Sequence, residues 1–358
     1  MVNRRDVCCA LLRDHGFPFG TKRPAWLCSV APSSNIAQRF TTIPSAPPSF
    51  PHAVVVCSRN RPDDVRHLME SLQGQSCTQP FEVVVVDASD DAVTPDVRAA
   101  ARSAPGLTSR YVRYASVPSL ARQRNFGVEQ LAETTRFVHF LDDDVTLEPG
   151  YLETLADVLE QHPDIGGIGG SVLDARKPRA RNRVRDLVLR FFLLESSTPG
   201  KVLSSGGLTS AQSVPLDGRF RVECLGGCAT YRRELVARLR FDDNLEGYSM
   251  DEDLDFSYRV GQVAKLVVEP AAKLIHHISP AARHSVRESR RDLLVHRFWF
   301  VEKNIRHPLK KPAFWWRILG SFIMTSLSRN PDAAEARRGI VDGVSIVLKR
   351  SHPLLARP

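Results

Sequence analysis

The chain has 358 residues, of which 42% are hydrophobic and 25% are charged, as in an ordinary globular protein. Its net charge of +9 favours an anionic partner, such as a phosphorylated small molecule, a nucleic acid or a lipid surface. The seven cysteines lack zinc-finger spacing and are interpreted as buried thiols in a reducing compartment, which argues against a disulfide framework. The chain shows neither a signal-peptide pattern nor the roughly eighteen apolar residues of a membrane span, so the expected location is the cytoplasm.

Residues 1–50 mix arginines, prolines, serines and threonines without a sustained period, and a proline-rich stretch closes them. This composition predicts a poorly ordered N-terminal extension.

From Ala53 onward, short apolar runs alternate with segments of helical pattern. Strands are predicted at 53–57, 81–86, 110–114 and 137–141, and helices at 65–73, 97–102 and 120–131. This alternation predicts an α/β fold with right-handed crossovers and a mainly parallel sheet flanked by helices. The loop after the first strand has neither G-x-G-x-x-G nor G-x-x-x-x-G-K-[ST], which argues against dehydrogenases and P-loop enzymes.

The fourth apolar run ends in three adjacent carboxylates, Asp142, Asp143 and Asp144. Ligand sites in such sheets gather at the carboxyl ends of strands. Asp142 and Asp144 are expected on the same side, because side chains alternate along an extended backbone. Two carboxylates held together need a cation, and oxygen ligands suit Mg²⁺ or Mn²⁺ with substrate phosphates. The alternative, an acidic turn after a core strand, stays open on these residues alone.

The segment 176–192 is the most basic part of the chain, with seven Lys/Arg residues against one acid, Asp186. It follows a predicted helix ending at Leu159 and a glycine-rich strand at 165–172, where close backbone approach is expected. A solvated insertion is the simpler interpretation. The alternative is an element that binds an anionic acceptor or a membrane surface.

A second acidic cluster, at residues 251–255, opens a predicted helix. Acids are common at helix N-termini, because they complement the helix dipole, so this cluster alone does not require a site. Two separate short strands are predicted after it, at 264–268 and at 274–277. The second ends in His276 and His277, and neutral imidazole is a competent metal ligand.

Seven pieces of the chain appear together in a familiar order: VVVCSRNRP, VVVVDASDD, ARQRNFG, FLDDD, GGCATYRRE, DEDLDFSYRV and LIHH. Over residues 53–277 this pattern resembles a family-2 glycosyltransferase with the GT-A fold. The resemblance implies a Rossmann-like GT-A domain at 51–280, with a basic insertion at about 175–220. The C-terminal residues 281–358 lie outside it and are predicted as a helical extension.

The resemblance also implies roles for individual residues. Asp253 matches the catalytic base, and Asp142, Asp144 and His276 match the metal ligands, with His277 as a rival to His276. Asp87 matches the residue that contacts the nucleobase. The full donor-binding set is Ser58, Arg59, Asn60, Asp87, Arg124, Asn125, Asp142 and Asp143. The acceptor side is assigned to Gly226, Gly227 and Glu252.

The function that follows is metal-dependent, inverting transfer of a sugar from a nucleotide-diphospho-sugar to an acceptor hydroxyl, with Mn²⁺ or Mg²⁺ as cofactor. The acceptor is a sugar, a lipid-linked molecule or a small molecule, and no nucleic acid is expected. One alternative is a non-catalytic sugar-nucleotide-binding protein on the same scaffold. Another, a nucleotidyltransferase, would need a glycine- and lysine-rich first loop, which the sequence lacks.

The tail mixes aromatic residues with cations, at 296–306 and 310–318. Packing of a C-terminal helix against the sheet is the favoured explanation for the aromatics. Tryptophan beside lysine and arginine is also typical of an interfacial helix, so peripheral contact at the inner membrane face stays open.

Overall fold

The computed structural model describes residues 49–174, 183–279, 281 and 284–356. The predicted N-terminal extension, apart from its last two residues, and much of the basic stretch at 175–182 therefore lie outside the described residues. The proposed domain boundaries stay a prediction.

The first half alternates strand and helix, as predicted. Its elements are β1 (His52–Ser58), α1 (Pro62–Gln73), β2 (Phe81–Asp87), α2 (Thr94–Ala100), β3 (Ser109–Arg113), α3 (Leu120–Glu129) and β4 (Phe137–Asp142). The four strands are parallel and lie in the order β3-β2-β1-β4. Parallel strands with helical crossovers place the carboxyl ends of β1, β2 and β4 at one edge of the sheet, which is where the acidic residues lie.

The second half extends the sheet with both strand directions. Its elements are β5 (Val145–Leu147), α4 (Tyr151–Gln161), β6 (Ile165–Asp174), α5 (Arg183–Phe191), a 3-10 turn (Ala211–Ser213), β7 (Phe220–Val222), β8 (Ala229–Arg232), α6 (Arg233–Leu239), α7 (Glu252–Gly261) and β9 (Lys265–His276). The sheet continues from β4 through β8, β6 and β9 to β5, and β7 also pairs with β9. β8 is antiparallel to both neighbours, whereas β9 is parallel to β6.

The prediction of two strands at 264–268 and 274–277 is wrong, because β9 is continuous. Its pairing with β6 shifts register between Gly170 and Ser171, opposite the segment that contains Pro270. A bulge accepts a proline that would interrupt a regular ladder, so the strand continues through it. Gly170 permits the close approach expected from the sequence, since a Cβ there would lie 2.5 Å from the carbonyl oxygen of Ala272.

The core has one layer on each face of the sheet. On β1, Val54 and Val56 pack with α1, α2 and α4, whereas Ala53 and Val55 pack with α3, α6 and α7. Each buried valine stabilises the fold by about 1.5–3 kcal/mol. The alternation explains why β1 and β2 are apolar along their whole length, since both faces of these strands are covered.

Four helices complete the described chain: α8 (Val286–Asn304), α9 (Lys310–Ser326), α10 (Ala333–Lys349) and α11 (Pro353–Ala356). The aromatics Phe298, Phe300 and Phe314 are buried and pack in one cluster with Leu254 of α7. Packing therefore accounts for much of the aromatic content of the tail, with α7 among the partners. Trp299 of α8 also packs against the core layer that contains residues of the sheet. None of the described helices is both long enough and apolar enough to cross a membrane.

Candidate active site

A cavity of about 370 Å³ opens where β1, β4 and β9 end and α7 begins. Its walls bring together residues that are far apart in the sequence. The lining residues are Cys57, Ser58, Arg59, Arg61, Pro118, Leu120, Gln123, Arg124, Asp142, Asp143, Asp144, Gly227, Gly247, Tyr248, Met250, Asp251, Glu252, Asp253, His276 and His284.

The side chains of the first acidic triplet, Asp142–Asp144, point in two directions. Asp143 turns toward the loop after β1, where it accepts hydrogen bonds from the Ser58 hydroxyl at 2.7 Å and from Arg61 Nη1 at 2.9 Å. Burial raises the pKa of Asp143 to about 7, against the lowering effect of Arg61 and Ser58. The middle residue of the triplet is thus occupied by contacts within the protein.

The two outer residues, Asp142 and Asp144, form a group with His276. One ligand atom from each of the three lies within 4.8 Å of the others. Two carboxylate oxygens and one imidazole nitrogen at this separation suit a divalent cation that keeps further positions for water or phosphate. The predicted alternation of the triplet therefore holds in the structure.

Asp144 is the more buried of the two outer acids. Its Oδ1 lies 3.0 Å from His276 Nε2, and its Oδ2 accepts the backbone N–H of Ser279 at 2.8 Å. Burial by itself would raise the pKa of Asp144, but the contacts with His276, Ser279 and Arg61 together lower it to about 2. Asp144 is therefore charged throughout the physiological range.

The adjacent histidines point to different partners. His277 Nε2 lies 2.8 Å from the Thr146 hydroxyl, whereas His276 faces Asp144. Within the described residues, only His276 of this pair belongs to the group that could hold a metal.

The second acidic triplet, Asp251–Asp253, lies at the start of α7. Asp251 has a φ of 67°, a strained value for a residue with a side chain. A bidentate pair with Arg297 of α8, with both N···O distances at 2.6 Å, holds it in place. This contact fixes the direction in which α7 leaves the preceding loop.

Asp253 is half-buried on the wall of the cavity, and its Oδ1 accepts the backbone N–H of Leu254 at 2.7 Å. Loss of contact with bulk water raises its pKa to about 6, and the nearby Arg124 opposes this shift. A carboxylate with this pKa is still ionised at neutral pH, yet it is a better proton acceptor than an ordinary aspartate.

Arg124 of α3 joins the two triplets. Its Nη2 lies 3.2 Å from Asp142 Oδ1, and its Nη1 lies 3.2 Å from Glu252 Oε1. The guanidinium is buried over the rings of Phe140 and Phe241, at 5.6 and 5.3 Å from the ring centres. Burial raises the pKa of Glu252 well above its usual range, and Arg124 counteracts this rise.

Several predicted residues lie beside the cavity without lining it. Asn60, with a φ of 57°, bonds to Asp90. The Asn125 amide donates to the Phe241 carbonyl and accepts its N–H. Both have protein partners, and their donor-binding roles stay predictions.

Asp87 is fully buried at the end of β2 and accepts the Tyr111 hydroxyl at 2.7 Å. Gly226 lies just outside the cavity lining and donates its N–H to Gln212 at 2.6 Å. Gly227 lines the cavity, where a Cβ would lie 3.1 Å from Asp142 Oδ2. Arg59 also lines it, with 48% of its side chain exposed. The roles predicted for these residues also remain to be tested.

Sequence reasoning missed some of the lining, namely Arg61, Gln123, Tyr248, Met250 and His284. Arg61 follows directly after Ser58, Arg59 and Asn60, so its position in the same loop could have indicated that it lines the site. Tyr248 and Met250 precede the second triplet, in a loop that carries no pattern of its own.

A sequence profile described as "Glycosyltransferase like family 2" matches residues 47–265. A curated relative, the glucosyl-dolichyl phosphate glucuronosyltransferase of Haloferax volcanii, is 33% identical over 137 residues. That alignment covers 35% of this chain and 40% of the relative, so the chain spans less than half of the relative's length.

Solved structures resemble the chain at low sequence identity. GalNAc-T7 with UDP, GalNAc and Mn²⁺ has a TM-score of 0.56 at 14% identity, over 86% of this chain and 58% of that one. The mannosyltransferase PcManGT from Pyrobaculum calidifontis, with GDP-Man and Mn²⁺, has a TM-score of 0.52 at 16% identity, over 84% and 88%. TarS from S. aureus, in complex with UDP-GlcNAc, has a TM-score of 0.52 at 14% identity, over 84% and 82%. These similarities confirm the fold predicted from the motifs, and the chain belongs to the glycosyltransferase-like family 2 with the GT-A fold.

Proposed function

We propose that the protein is a metal-dependent, inverting glycosyltransferase that uses a nucleotide-diphospho-sugar donor. One observation carries this proposal. Two acidic triplets line the same cavity, and their surroundings shift the pKa of a carboxyl group in opposite directions. In the first, contacts lower the pKa of Asp144 to about 2. In the second, withdrawal from water raises the pKa of Asp253 to about 6. Paired carboxyl groups whose environments separate their pKa values have different roles in catalysis.

The donor side is assigned to the first triplet. Asp142, Asp144 and His276 would hold Mn²⁺ or Mg²⁺, and the ion when bound would neutralise the charge of the departing diphosphate. Arg59 adds an exposed guanidinium at the same edge of the cavity. Support for this donor class comes from the solved neighbours, whose complexes contain UDP-GlcNAc, or GDP-Man with Mn²⁺.

The acceptor side is assigned to the second triplet. Asp253 accepts the proton of the acceptor hydroxyl while that oxygen attacks the anomeric carbon. The bond to the diphosphate breaks on the opposite face, so the configuration inverts and no covalent enzyme intermediate forms. One proton passes to Asp253, and the electron pair of the broken bond leaves with the diphosphate.

The acceptor class is less constrained than the donor class. The curated relative is named for glucosyl-dolichyl phosphate, a lipid-linked sugar. We propose a sugar, a lipid-linked molecule or a small molecule that enters past Gly227 and Glu252. Arg124 pairs with Glu252, so this glutamate contributes by fixing Arg124 between the two triplets.

A thermal-melting titration with UDP, GDP and dTDP, with and without Mn²⁺, tests the donor site. A ligand that binds only the native state raises the melting temperature. We expect a Mn²⁺-dependent rise with one nucleotide, lost in Asp144→Ala and retained in Asp96→Ala, a matched change on the exposed surface of α2. A rise that does not depend on Mn²⁺ would contradict the metal assignment.

Slow hydrolysis of the donor separates an enzyme from a binding protein before the acceptor is known. Water can take the place of the acceptor hydroxyl, so an intact site should release nucleoside diphosphate from the sugar nucleotide that binds. Tight binding without any release, even with candidate acceptors added, would favour the non-catalytic alternative on the same scaffold.

A further inference from the structure

Helices α5 and α9 form an aromatic contact away from the cavity. Trp316 of α9 lies with its ring centre 5.3 Å from that of Phe191 and 5.1 Å from that of Phe192. The Trp316 indole N–H donates to the Phe191 carbonyl at 2.8 Å. Gly320 leaves room for the Phe192 ring, which a Cβ at this position would meet. The C-terminal end of α5 is therefore fixed to α9.

This contact leaves an apolar surface exposed, which we call the α5–α9 face. Its α5 residues are Leu187 and Phe191, one turn apart and 69% and 63% exposed. Its α9 residues are Trp316, Leu319 and Phe322, three positions apart from one another and also exposed. Because Phe191 and Trp316 are in contact, the two rows form one continuous patch. An exposed apolar patch of this kind marks an interaction site.

The charges around the face are of one sign. The three arginines of α5 are exposed, while the helix has one acid, Asp186. Helix α9 begins with Lys310 and Lys311 and contains no acid. Exposed apolar residues on a basic amphipathic helix are the composition of an element that lies in a membrane interface.

We propose that the α5–α9 face docks the protein on the surface of an anionic lipid bilayer. The apolar side chains enter the boundary between headgroups and acyl chains, and the arginines contact the anionic headgroups. A second copy of the chain is a poorer occupant, because a symmetric contact would bring two faces of the same charge together. The inference does not depend on the transfer reaction, since binding to vesicles requires neither donor nor metal ion.

Co-sedimentation of the full chain with vesicles tests the proposal. We expect binding to vesicles of phosphatidylcholine with phosphatidylglycerol, weaker binding to phosphatidylcholine alone, and release as the salt concentration rises. The double variant Leu187→Ser/Phe191→Ser should bind at least about tenfold more weakly, because it removes two large apolar side chains without changing charge.

A matched control is Val117→Ser/Val263→Ser, which changes two exposed apolar residues on other elements, at 61% and 55% exposure. It should bind like the unchanged chain. The control should keep the melting temperature of the unchanged chain, since both of its changed residues are exposed. The Leu187→Ser/Phe191→Ser variant should melt slightly lower, because it also loses the ring contact between Phe191 and Trp316.

Two results would overturn the proposal. One is equal vesicle binding by the Leu187→Ser/Phe191→Ser variant and the unchanged chain. The other is no binding to anionic vesicles at all. If the second result came with dimerisation that the variant abolished, the face would be an interface between copies of this chain.

Discussion

The two acidic triplets are built in similar ways and have opposite properties. In each, one aspartate is paired with an arginine whose side chain is largely buried: Asp143 with Arg61, and Asp251 with Arg297. The remaining acids face the cavity. In the first triplet, donors surround the outer carboxylate Asp144 and lower its pKa, whereas Asp253 in the second has only a backbone N–H among its described hydrogen bonds. Neighbouring hydrogen-bond donors thus set the two pKa values apart, which is the basis for assigning the cation to one carboxylate and the proton to the other.

Replacing Asp144 should have the largest effect. Asp144→Ala removes the most buried ligand of the proposed metal group, so transfer should fall by roughly three to four powers of ten, the scale of several kcal/mol. Initial rates measured across a Mn²⁺ titration would show this loss, and EDTA should inactivate the unchanged protein similarly. Undiminished transfer in EDTA would contradict the proposal that the first triplet binds a metal ion needed for transfer.

Asp253→Asn should have the next largest effect, with a loss of about two to four powers of ten in the rate of transfer. The amide keeps the size of the side chain but cannot accept the proton. Nucleotide-induced thermal shifts should stay unchanged, because the donor side is intact. The exposed control Asp96→Asn should transfer normally. Near-normal turnover of the Asp253 variant would assign the base elsewhere.

The two aspartate–arginine pairs should contribute differently to the free energy of unfolding. Arg297→Met leaves Asp251 as an uncompensated buried charge and should reduce the free energy of unfolding by about 3–5 kcal/mol. Arg61→Met should cost less, about 1–3 kcal/mol, because the pKa of Asp143 is already raised and this acid can become neutral. Denaturant melts give both values. The double variant Arg297→Met/Asp251→Asn should recover part of the loss, and no recovery would show that the arginine acts through packing.

The neighbouring histidines offer a narrower test of the first triplet. His276→Ala should weaken Mn²⁺ binding by at least about 10–100-fold, because the loss of a direct ligand should cost no less than the loss of an outer-shell partner. His277→Ala, its matched control, should leave Mn²⁺ affinity unchanged, since this ring bonds to Thr146. Calorimetric titration with Mn²⁺ in the presence of the nucleotide measures both. Equal effects of the two changes would contradict the geometry.

The smallest predicted effect is on the pH profile. Because the pKa of Asp253 is raised to about 6, this base is ionised above that pH and protonated below it. The value of kcat/KM should therefore be flat above about pH 6 and fall about tenfold per unit below it. The nucleotide-induced thermal shift, measured at each pH, separates a loss of the base from a loss of donor binding. A break near the usual aspartate value would mean that Asp253 is better solvated than the structure shows.

Much of the donor half could be predicted from the sequence, because local patterns determine it. Buried parallel strands are apolar along their length, and alternation places Asp142 and Asp144 together. The links between the triplets could not be predicted. Arg124 contacts residues that lie 18 and 128 positions away, and this arrangement depends on where the fold places α3 relative to the start of α7. The choice of His276 over His277 likewise depends on the register of β9 against β5, which the residue types do not reveal.

The charge of the cavity wall has a consequence for the order in which the cation and the donor bind. Six carboxylic acids and three arginines line the cavity. Even with its most buried acids neutral, this wall offers little attraction to a free nucleoside diphosphate. We expect the cation to enter before the donor or together with it, and to leave with the diphosphate. The concentration of free cation would then govern both the capture of donor and the release of product, which would make turnover sensitive to metal supply.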